Sequence, residues 1–177
     1  MKVSVLLADK GTQNPQGTLN LLNIGWAHTV LRPAQMPIGP GQPPVTQLLT
    51  PPLAVAIFYE VDHQDCNHPI PMVVFLEDQD GRPVELPGPE GPQALVVTQN
   101  IVVASPPQVP IGSPGTGNTL LEIVPGLPLP PGAYRWRVQL NGQDHEHWRV
   151  RFYVLPPPQQ PVFTIGQPPQ LPPQGGA

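Results

Sequence analysis

The placement of proline along the chain constrains the fold more than any other feature of the sequence. Thirty of the 177 residues are proline. Because each proline in a helix interior costs about 3 kcal/mol, a long helical bundle is excluded. A collagen-like chain is also excluded, since no Gly-X-Y repeat is present. Charged residues make up only 11 %, but the apolar fraction is 39 % before the 17 glycines are added. That is enough for an ordinary hydrophobic core.

The last 22 residues, 156–177, differ in composition from the rest of the chain. They contain eight prolines, five glutamines, three glycines and no charged residue. Such a segment does not bury enough apolar surface to offset the entropy lost on ordering. We therefore predict a folded domain over residues 1–155 and a disordered tail over 156–177. Two PxxP sequences in the tail lack the basic neighbour typical of polyproline ligands, which favours a spacer or an interaction arm of low specificity.

The other 22 prolines lie in clusters, and the windows between the clusters are rich in β-branched and aromatic residues. Proline cannot donate a hydrogen bond inside a sheet, so these windows are where strands are expected. They are residues 54–61, 72–77, 95–104, 134–140 and 148–155, with further candidates at 3–7, 19–30 and 119–123. About eight strands predict an all-β fold, an antiparallel β-sandwich of immunoglobulin-like or jelly-roll-like type. Long Pro-rich loops would join the strands, the longest at 33–52.

The last two windows contain the clearest strand pattern. Apolar residues occupy every second position, namely Tyr134, Trp136, Val138 and Leu140 in the first window and Trp148, Val150, Phe152 and Val154 in the second. This period predicts an antiparallel pair with one buried face. The pair of residues that follows the first strand, Asn141-Gly142, is a common hairpin turn. Trp136 and Trp148 are therefore predicted to lie in the core, as is Trp26.

The opposite face of this hairpin is the first candidate binding surface. It carries four of the chain's eight basic residues, with a tyrosine beside them: Arg135, Arg137, Arg149, Arg151 and Tyr153. Arginine and tyrosine are frequent in surfaces that recognise other proteins. The alternative is a structural ladder of ion pairs, because facing like charges destabilise a strand pair unless acidic residues are near. The acidic residues at strand positions are Glu60, Glu77 and Glu122.

Two polar loops contain residue types that bind transition metals. The first is DHQDCNH at residues 62–68, and the second is DHEH at 144–147. The candidate ligands are His63, Asp65, Cys66, His68, His145 and His147. Imidazole and thiolate suit zinc-like metals, and the two loops would form one site if they met at one end of the sandwich. Their spacing matches no closed zinc motif, so solvated loops remain the alternative.

The remaining motifs argue against catalysis. Residues 78–81 resemble the start of a calcium loop, but Pro87 stands where the loop needs its glutamate, so a tight turn is the preferred interpretation. The chain has no GxSxG motif, and the glycine-rich run at 112–117 is not followed by a phosphate-binding lysine. Acidic neighbours of Cys66 oppose formation of a reactive thiolate. We predict that the protein is not an enzyme.

Four segments carry a family resemblance: LLADKG at 6–11, GTLNLLNIGW at 17–26, PPLAVAIFYEV at 51–61 and LEDQDGRPV at 76–84. In combination they resemble an uncharacterised family of small bacterial proteins, best represented in actinobacteria. The segment LPPGAYRWRVQLNG at 129–142 is similar to the last hairpin of immunoglobulin-like and fibronectin-type sandwiches. The resemblance implies this fold and a bacterial intracellular protein, and it implies no activity or ligand.

Charge and hydropathy narrow the function further. The net charge of −4 gives no support for binding nucleic acid or anionic membranes. No apolar run approaches the length of a membrane span, and Asp9 and Lys10 interrupt the N-terminal run before it reaches that of a signal peptide. With one cysteine, no intrachain disulfide forms. We expect a cytoplasmic protein.

Three functions are consistent with these features. The first is a non-catalytic binding or assembly module without a cofactor, which recognises a protein partner through the arginine-bearing face or the Pro-rich loops. The second is a metal-binding protein that uses the two histidine loops to hold a divalent metal such as zinc, with hydrolysis as one use of that metal. The third and weakest is a carbohydrate-binding module, which rests on analogy with other sandwiches.

Overall fold

The computed structural model describes residues 1–36, 43–88, 91–105 and 110–158. These ranges contain fourteen β-strands and two one-turn 3-10 helices, His63–Asp65 and Glu146–Trp148. In chain order the strands are β1 (Lys2–Ala8), β2 (Lys10–Gln13), β3 (Leu19–Leu22), β4 (His28–Val30), β5 (Arg32–Met36), β6 (Val45–Leu49), β7 (Leu53–Val61), β8 (Pro69–Asp78), β9 (Glu85–Gly88), β10 (Gly91–Ala94), β11 (Val96–Val102), β12 (Gly115–Ile123), β13 (Gly132–Leu140) and β14 (Arg149–Leu155). The all-β prediction is confirmed.

Part of the predicted tail, residues 159–177, lies outside the described residues, and so do residues 37–42 of the predicted long loop. None of the described residues belongs to a helix with the length and apolarity needed to cross a membrane.

Eight of the described strands form two larger sheets. One sheet has three strands in the order β1-β7-β12, and the other has five in the order β11-β8-β13-β14-β4. Neighbours are antiparallel except β14 and β4, which run parallel. The other six strands form three separate hairpins, β2-β3, β5-β6 and β9-β10. The described strands therefore outnumber the predicted eight, because hairpins occupy stretches expected to be loops.

The two larger sheets contribute their buried faces to one hydrophobic core. Trp136 and Trp148 are 1 % and 0 % exposed, which confirms both as core residues. Trp26 is partly buried against the same core, with its ring edge-on to Phe152 at 6.0 Å between ring centroids. The alternation predicted for residues 134–140 is observed, since the apolar positions of β13 are buried and the polar ones are partly exposed.

Strand β7 is buried on both faces, which explains its nearly continuous apolar sequence. One face points into the core. On the other face, the β2-β3 hairpin lies across the three-stranded sheet. The closeness of the packing is seen at Gly11, where an added Cβ would lie 2.6 Å from Leu120. Leu120 pairs with Ala56 of β7, which is fully buried.

The long loop predicted at 33–52 is wrong in part, because a hairpin occupies its described residues. Strand β5 pairs with β6 from Arg32–Leu49 to Met36–Val45, and β5 includes Pro33. A similar hairpin, β9-β10, contains Pro87 and Pro92. Two-stranded hairpins tolerate proline, because each strand has a free side on which no N–H is needed. These short strands were missed in the sequence analysis because proline-rich stretches were predicted to be loops.

Proline also occurs at the start of the central strand β8. The carbonyl of Pro71 accepts a hydrogen bond from the Asn141 backbone N–H at 2.8 Å. The backbone edge of Pro71 that carries this carbonyl therefore faces the turn after β13, because the last pair between β8 and β13 is Met72 with Leu140. A residue's N–H lies on the same edge as its carbonyl in an antiparallel strand. The missing N–H of Pro71 would thus face the turn, and no hydrogen bond between the two strands is lost.

Candidate functional site

The arginine-bearing face of β13 and β14 is organised by a buried glutamate on the neighbouring strand. Glu77 of β8 is 2 % exposed and lies opposite Arg135 in the sheet register. Its carboxylate accepts hydrogen bonds from Arg135 Nε at 2.6 Å and from Arg137 Nη1 at 2.8 Å. The burial of the carboxylate is offset by these two charge-assisted hydrogen bonds.

A second carboxylate extends this arrangement. The turn at Asn141-Gly142 returns the chain so that Asp144 Oδ2 lies 2.6 Å from Arg137 Nη2 and 3.1 Å from Arg149 Nη2. Burial by itself raises the pKa of Asp144, but hydrogen bonds and charges of the two guanidinium groups outweigh it, and the pKa is lowered. The pKa of Arg137 is raised, mainly by its hydrogen bond to Glu77.

These contacts form a continuous ion-pair ladder, Arg135–Glu77–Arg137–Asp144–Arg149. The guanidinium of Arg137 also lies 5.4 Å from the ring centroid of Phe75, within the range of a cation–π contact. The sequence left open whether the four arginines form a binding surface or a structural ladder of ion pairs. Three of them, Arg135, Arg137 and Arg149, belong to such a ladder.

The fourth arginine has a different environment. Arg151 pairs with Arg135 in the sheet register and is exposed, and it forms no ion pair within the described ranges. Tyr153 and Leu155 follow at alternate positions of β14 and are 52 % and 41 % exposed. We refer to Arg151, Tyr153 and Leu155 as the β14 stripe. Arg151 and Tyr153 are thus the exposed residues of the predicted surface, and Leu155, which was not predicted, extends that surface along β14.

A small cavity of about 170 Å³ opens beside the β14 stripe. Its walls include Asp78, Gln79, Tyr134, Arg135, Arg151 and Tyr153. Burial, together with the charge of Asp78, raises the pKa of Tyr134. The neutral Tyr134 hydroxyl donates to the carbonyl oxygen of Pro130 at 2.9 Å. Residues of acidic, basic and aromatic type therefore meet at this cavity.

The segment that resembles a calcium loop is a tight turn, as predicted. Asp78 Oδ1 accepts hydrogen bonds from the backbone N–H groups of Asp80 and Arg82, both at 2.9 Å. Gly81 has a φ of 79°, and an added Cβ would lie 2.5 Å from Arg135 Nη2. The turn thus needs glycine twice, for its backbone conformation and to leave room for the arginine.

The two histidine loops lie at the same end of the strands but do not assemble a metal site. His63, His68, His145 and His147 are exposed, and Cys66 is buried with its Sγ 3.6 Å from the Asp62 carbonyl oxygen. Among the residues that the structure describes, no three His, Cys, Asp or Glu side chains form a group that could hold a metal. Metal binding by these loops, including Asp65, therefore has no support from the geometry.

His145 and His147 have a packing contact instead. Their rings stack with centroids 5.4 Å apart, and the ring of His145 lies edge-on to buried Trp148 at 4.5 Å.

A cleft on the three-stranded sheet, lined by both polar and apolar side chains, was not predicted from the sequence. It has a volume of about 890 Å³ and lies between the outer face of that sheet and the tip of the β2-β3 hairpin. We refer to it as the hairpin cleft, whose lining residues include Ser4, Gln13, Gln16, Phe58, Thr116 and Asn118. Phe58 is central, because it pairs with Ser4 on one side and Asn118 on the other.

Two amide side chains connect the hairpin to the sheet at this cleft. Gln13 Nε2 donates to Asn118 Oδ1 at 2.8 Å, and Asn118 Nδ2 donates to the Gly17 carbonyl at 2.8 Å. The hairpin turn itself is held by Asn14, whose Oδ1 accepts from the backbone N–H groups of Gln16 and Thr18. Gln13 and Asn118 are 105 residues apart, so no local pattern in the sequence could have joined them.

The chain matches no family model, and no curated protein is detectably similar to it. The resemblance to the uncharacterised bacterial family stays a prediction.

Proposed function

We propose that this protein is a non-catalytic binding module with an immunoglobulin-like β-sandwich, and that it recognises a protein partner through the β14 stripe. The strand order supports the sandwich type. In order, β1, β7 and β12 correspond to strands A, B and E of such domains, and β11, β8, β13 and β14 correspond to C′, C, F and G.

A second feature supports the same fold. In many immunoglobulin-like domains a tyrosine near the start of strand F donates to a backbone carbonyl a few residues upstream. Tyr134 has this position in β13, and its hydroxyl donates to Pro130, four residues earlier.

The observation that carries the binding proposal is the free guanidinium of Arg151 beside an exposed tyrosine. Arg135, Arg137 and Arg149 share the carboxylates of Glu77 and Asp144, whereas Arg151 has no acidic partner in the described ranges. The face therefore carries excess positive charge at Arg151. A partner that presents a carboxylate next to an apolar side chain would complement Arg151, Tyr153 and Leu155, and arginine and tyrosine frequently dominate binding energy.

We place the protein in the cytoplasm, where the single thiol of Cys66 stays reduced. Binding through the β14 stripe requires no cofactor, nucleic acid or membrane. Membership of the uncharacterised bacterial family is retained as part of this proposal.

Site-specific photo-crosslinking tests the surface. A photoreactive phenylalanine analogue in place of Tyr153, in the full chain expressed in its native host, should crosslink to a distinct protein. The same analogue in place of Ile111, which is 97 % exposed and lies away from the stripe in sequence, is the control. Crosslinking of the same proteins from both positions, or of none from position 153, would contradict the proposal.

The charge requirement is tested with the partner thus identified. We expect Arg151→Glu to weaken binding by about 30-fold or more, the loss typical of a central arginine. Lys2→Glu reverses an exposed positive charge on β1 of the three-stranded sheet, away from the stripe, and should leave the affinity within about twofold. Equal affinities of the two variants would show that the stripe is not the contact surface.

A further inference from the structure

We propose that the hairpin cleft is a second binding site, which takes a neutral carbohydrate. In this arrangement a sugar ring lies on Phe58, and its hydroxyl groups meet the amide and hydroxyl side chains around it. The site is separate from the β14 stripe, because the cleft lies on the three-stranded sheet and the stripe on the five-stranded sheet.

The size and floor of the cleft support a small ligand. Its volume of about 890 Å³ is within the roughly 300–1,000 Å³ of small-molecule sites. Phe58 is partly buried and stands between two short polar residues, Ser4 and Asn118, in a row across the sheet. Its ring is thus flanked by groups that hydrogen-bond. A pyranose ring has the matching shape, with a flat C–H face for the aromatic ring and hydroxyl groups at its edge.

The polar groups of the cleft are positioned before a ligand binds. The hydrogen bonds between Gln13, Asn118 and the Gly17 carbonyl hold the two amides in place. Such order reduces the entropy lost on binding. In the ranges that the structure covers, the side chains of Ser4, Gln16 and Thr116 have no hydrogen-bond partner. Amides and hydroxyls both donate and accept, as sugar hydroxyls do.

The charge of the cleft favours a neutral ligand. Lys2 and Glu60 are the charged residues among its described lining, and they pair with each other at 2.8 Å. A charged ligand would therefore meet no unpaired countercharge there. The cleft differs in this respect from the β14 stripe, where Arg151 provides an unpaired positive charge.

Titration of the ¹⁵N-labelled full chain with oligosaccharides, followed by NMR, tests the proposal. The probes are the neutral hexamers of cellulose, chitin, starch and laminarin, and the anionic hexamer of galacturonic acid. At least one neutral hexamer should shift the backbone amide signals of Gln13, Gly17 and Asn118. The anionic hexamer should bind more weakly than that neutral probe by about tenfold or more.

Two variants locate the site. Phe58→Leu keeps an apolar side chain but removes the flat ring, and it should weaken binding by about tenfold or more. Gln16→Ala, at an exposed position, provides a second variant that does not disturb packing and should weaken binding about threefold or more. Tyr153→Ala, on the other sheet, should leave carbohydrate affinity unchanged.

Several results would overturn the proposal. These are the absence of shifts with every neutral hexamer, shifts confined to residues outside the cleft, tighter binding of the anionic probe, and unchanged affinity in both Phe58→Leu and Gln16→Ala. Each result leaves the proposed partner surface unaffected, since that surface is tested through Tyr153 and Arg151.

Discussion

Glu77 is the residue on which the order of the arginine face depends. It is buried at 2 % exposure, and its two carboxylate oxygens each bind a different guanidinium group. Among the described residues, Glu77 and Thr50 are the buried residues with polar or charged side chains. A buried carboxylate of this kind is stabilising only while both of its hydrogen-bonded partners remain.

Replacement of Glu77 by glutamine should therefore destabilise the protein. Glu77→Gln keeps the shape of the side chain but leaves Arg135 without a counterion, and we expect a loss of about 3 kcal/mol in the free energy of unfolding. Urea denaturation measures this loss. Glu85→Gln removes an exposed carboxylate and should change stability by less than about 0.5 kcal/mol. Similar stabilities of the two variants would mean that the ladder does not stabilise the fold.

Asp144 makes the stability of the protein depend on pH in a predictable direction. Its pKa in the folded protein is below the ordinary value of about 3.9, so the folded state favours the charged carboxylate. The stabilisation from Asp144 is fully present above the ordinary pKa. It is lost as the pH falls through the lower pKa of the folded state.

The Asp144→Asn variant lacks this contribution at every pH. The difference in unfolding free energy between wild type and Asp144→Asn should be constant well above the ordinary pKa of about 3.9 and should narrow as the pH falls through and below that value. Urea titrations at a series of pH values measure the difference. A gap that is constant or widens on acidification would show that the ion pairs with Arg137 and Arg149 do not lower this pKa.

At the scale of elements, the entry into β13 is held by one side-chain hydrogen bond. The Tyr134 hydroxyl donates to the Pro130 carbonyl across the turn that precedes the strand. Tyr134 is 8 % exposed, and its ring lies 5.8 Å from that of Phe152 on β14. The same side chain thus fixes the turn and packs the two strands of the hairpin together.

Removal of the hydroxyl separates these two roles. Tyr134→Phe keeps the ring contact but leaves the Pro130 carbonyl without its donor, so we expect a loss of about 1 kcal/mol in the free energy of unfolding. Tyr153→Phe is the matched control, because the Tyr153 side chain is 52 % exposed. This substitution should change the free energy of unfolding by less than about 0.5 kcal/mol. Equal denaturation midpoints for both variants would exclude a structural role for the hydroxyl.

The strands of two short hairpins, β5-β6 and β9-β10, were not predicted from the sequence, whereas β13 and β14 were. Local alternation located β13 and β14, because an antiparallel pair with one buried face has a period of two. It did not locate β5-β6 or β9-β10, whose residues are mostly exposed and include Pro33, Pro87 and Pro92. Without a buried face there is no alternation to detect, and proline argues against a strand even where its N–H would be unused.

For the whole molecule, the core ends before the Pro-rich C-terminal segment begins. The last buried member of the core is Val154, and Pro156 and Pro158 are exposed. We expect a chain of residues 1–155 to melt within about 2 °C of the full chain, because no core contact of the described residues is lost. Differential scanning calorimetry of both chains measures this. A decrease of about 5 °C or more would show that residues 156–177 contribute to the folded domain.

The sequence by itself determined the all-β class, the core positions of Trp136 and Trp148, and the turn at Asp78. These are local properties, since they follow from side-chain alternation, from the missing N–H of proline and from Asx-turn chemistry. The tertiary structure alone decided which arginines are free and where a cleft exists. Glu77 and Arg135 are 58 residues apart, and Gln13 and Asn118 are 105 apart. Such pairs form only through the order and register of strands in a sheet, which depend on the packing of the whole core.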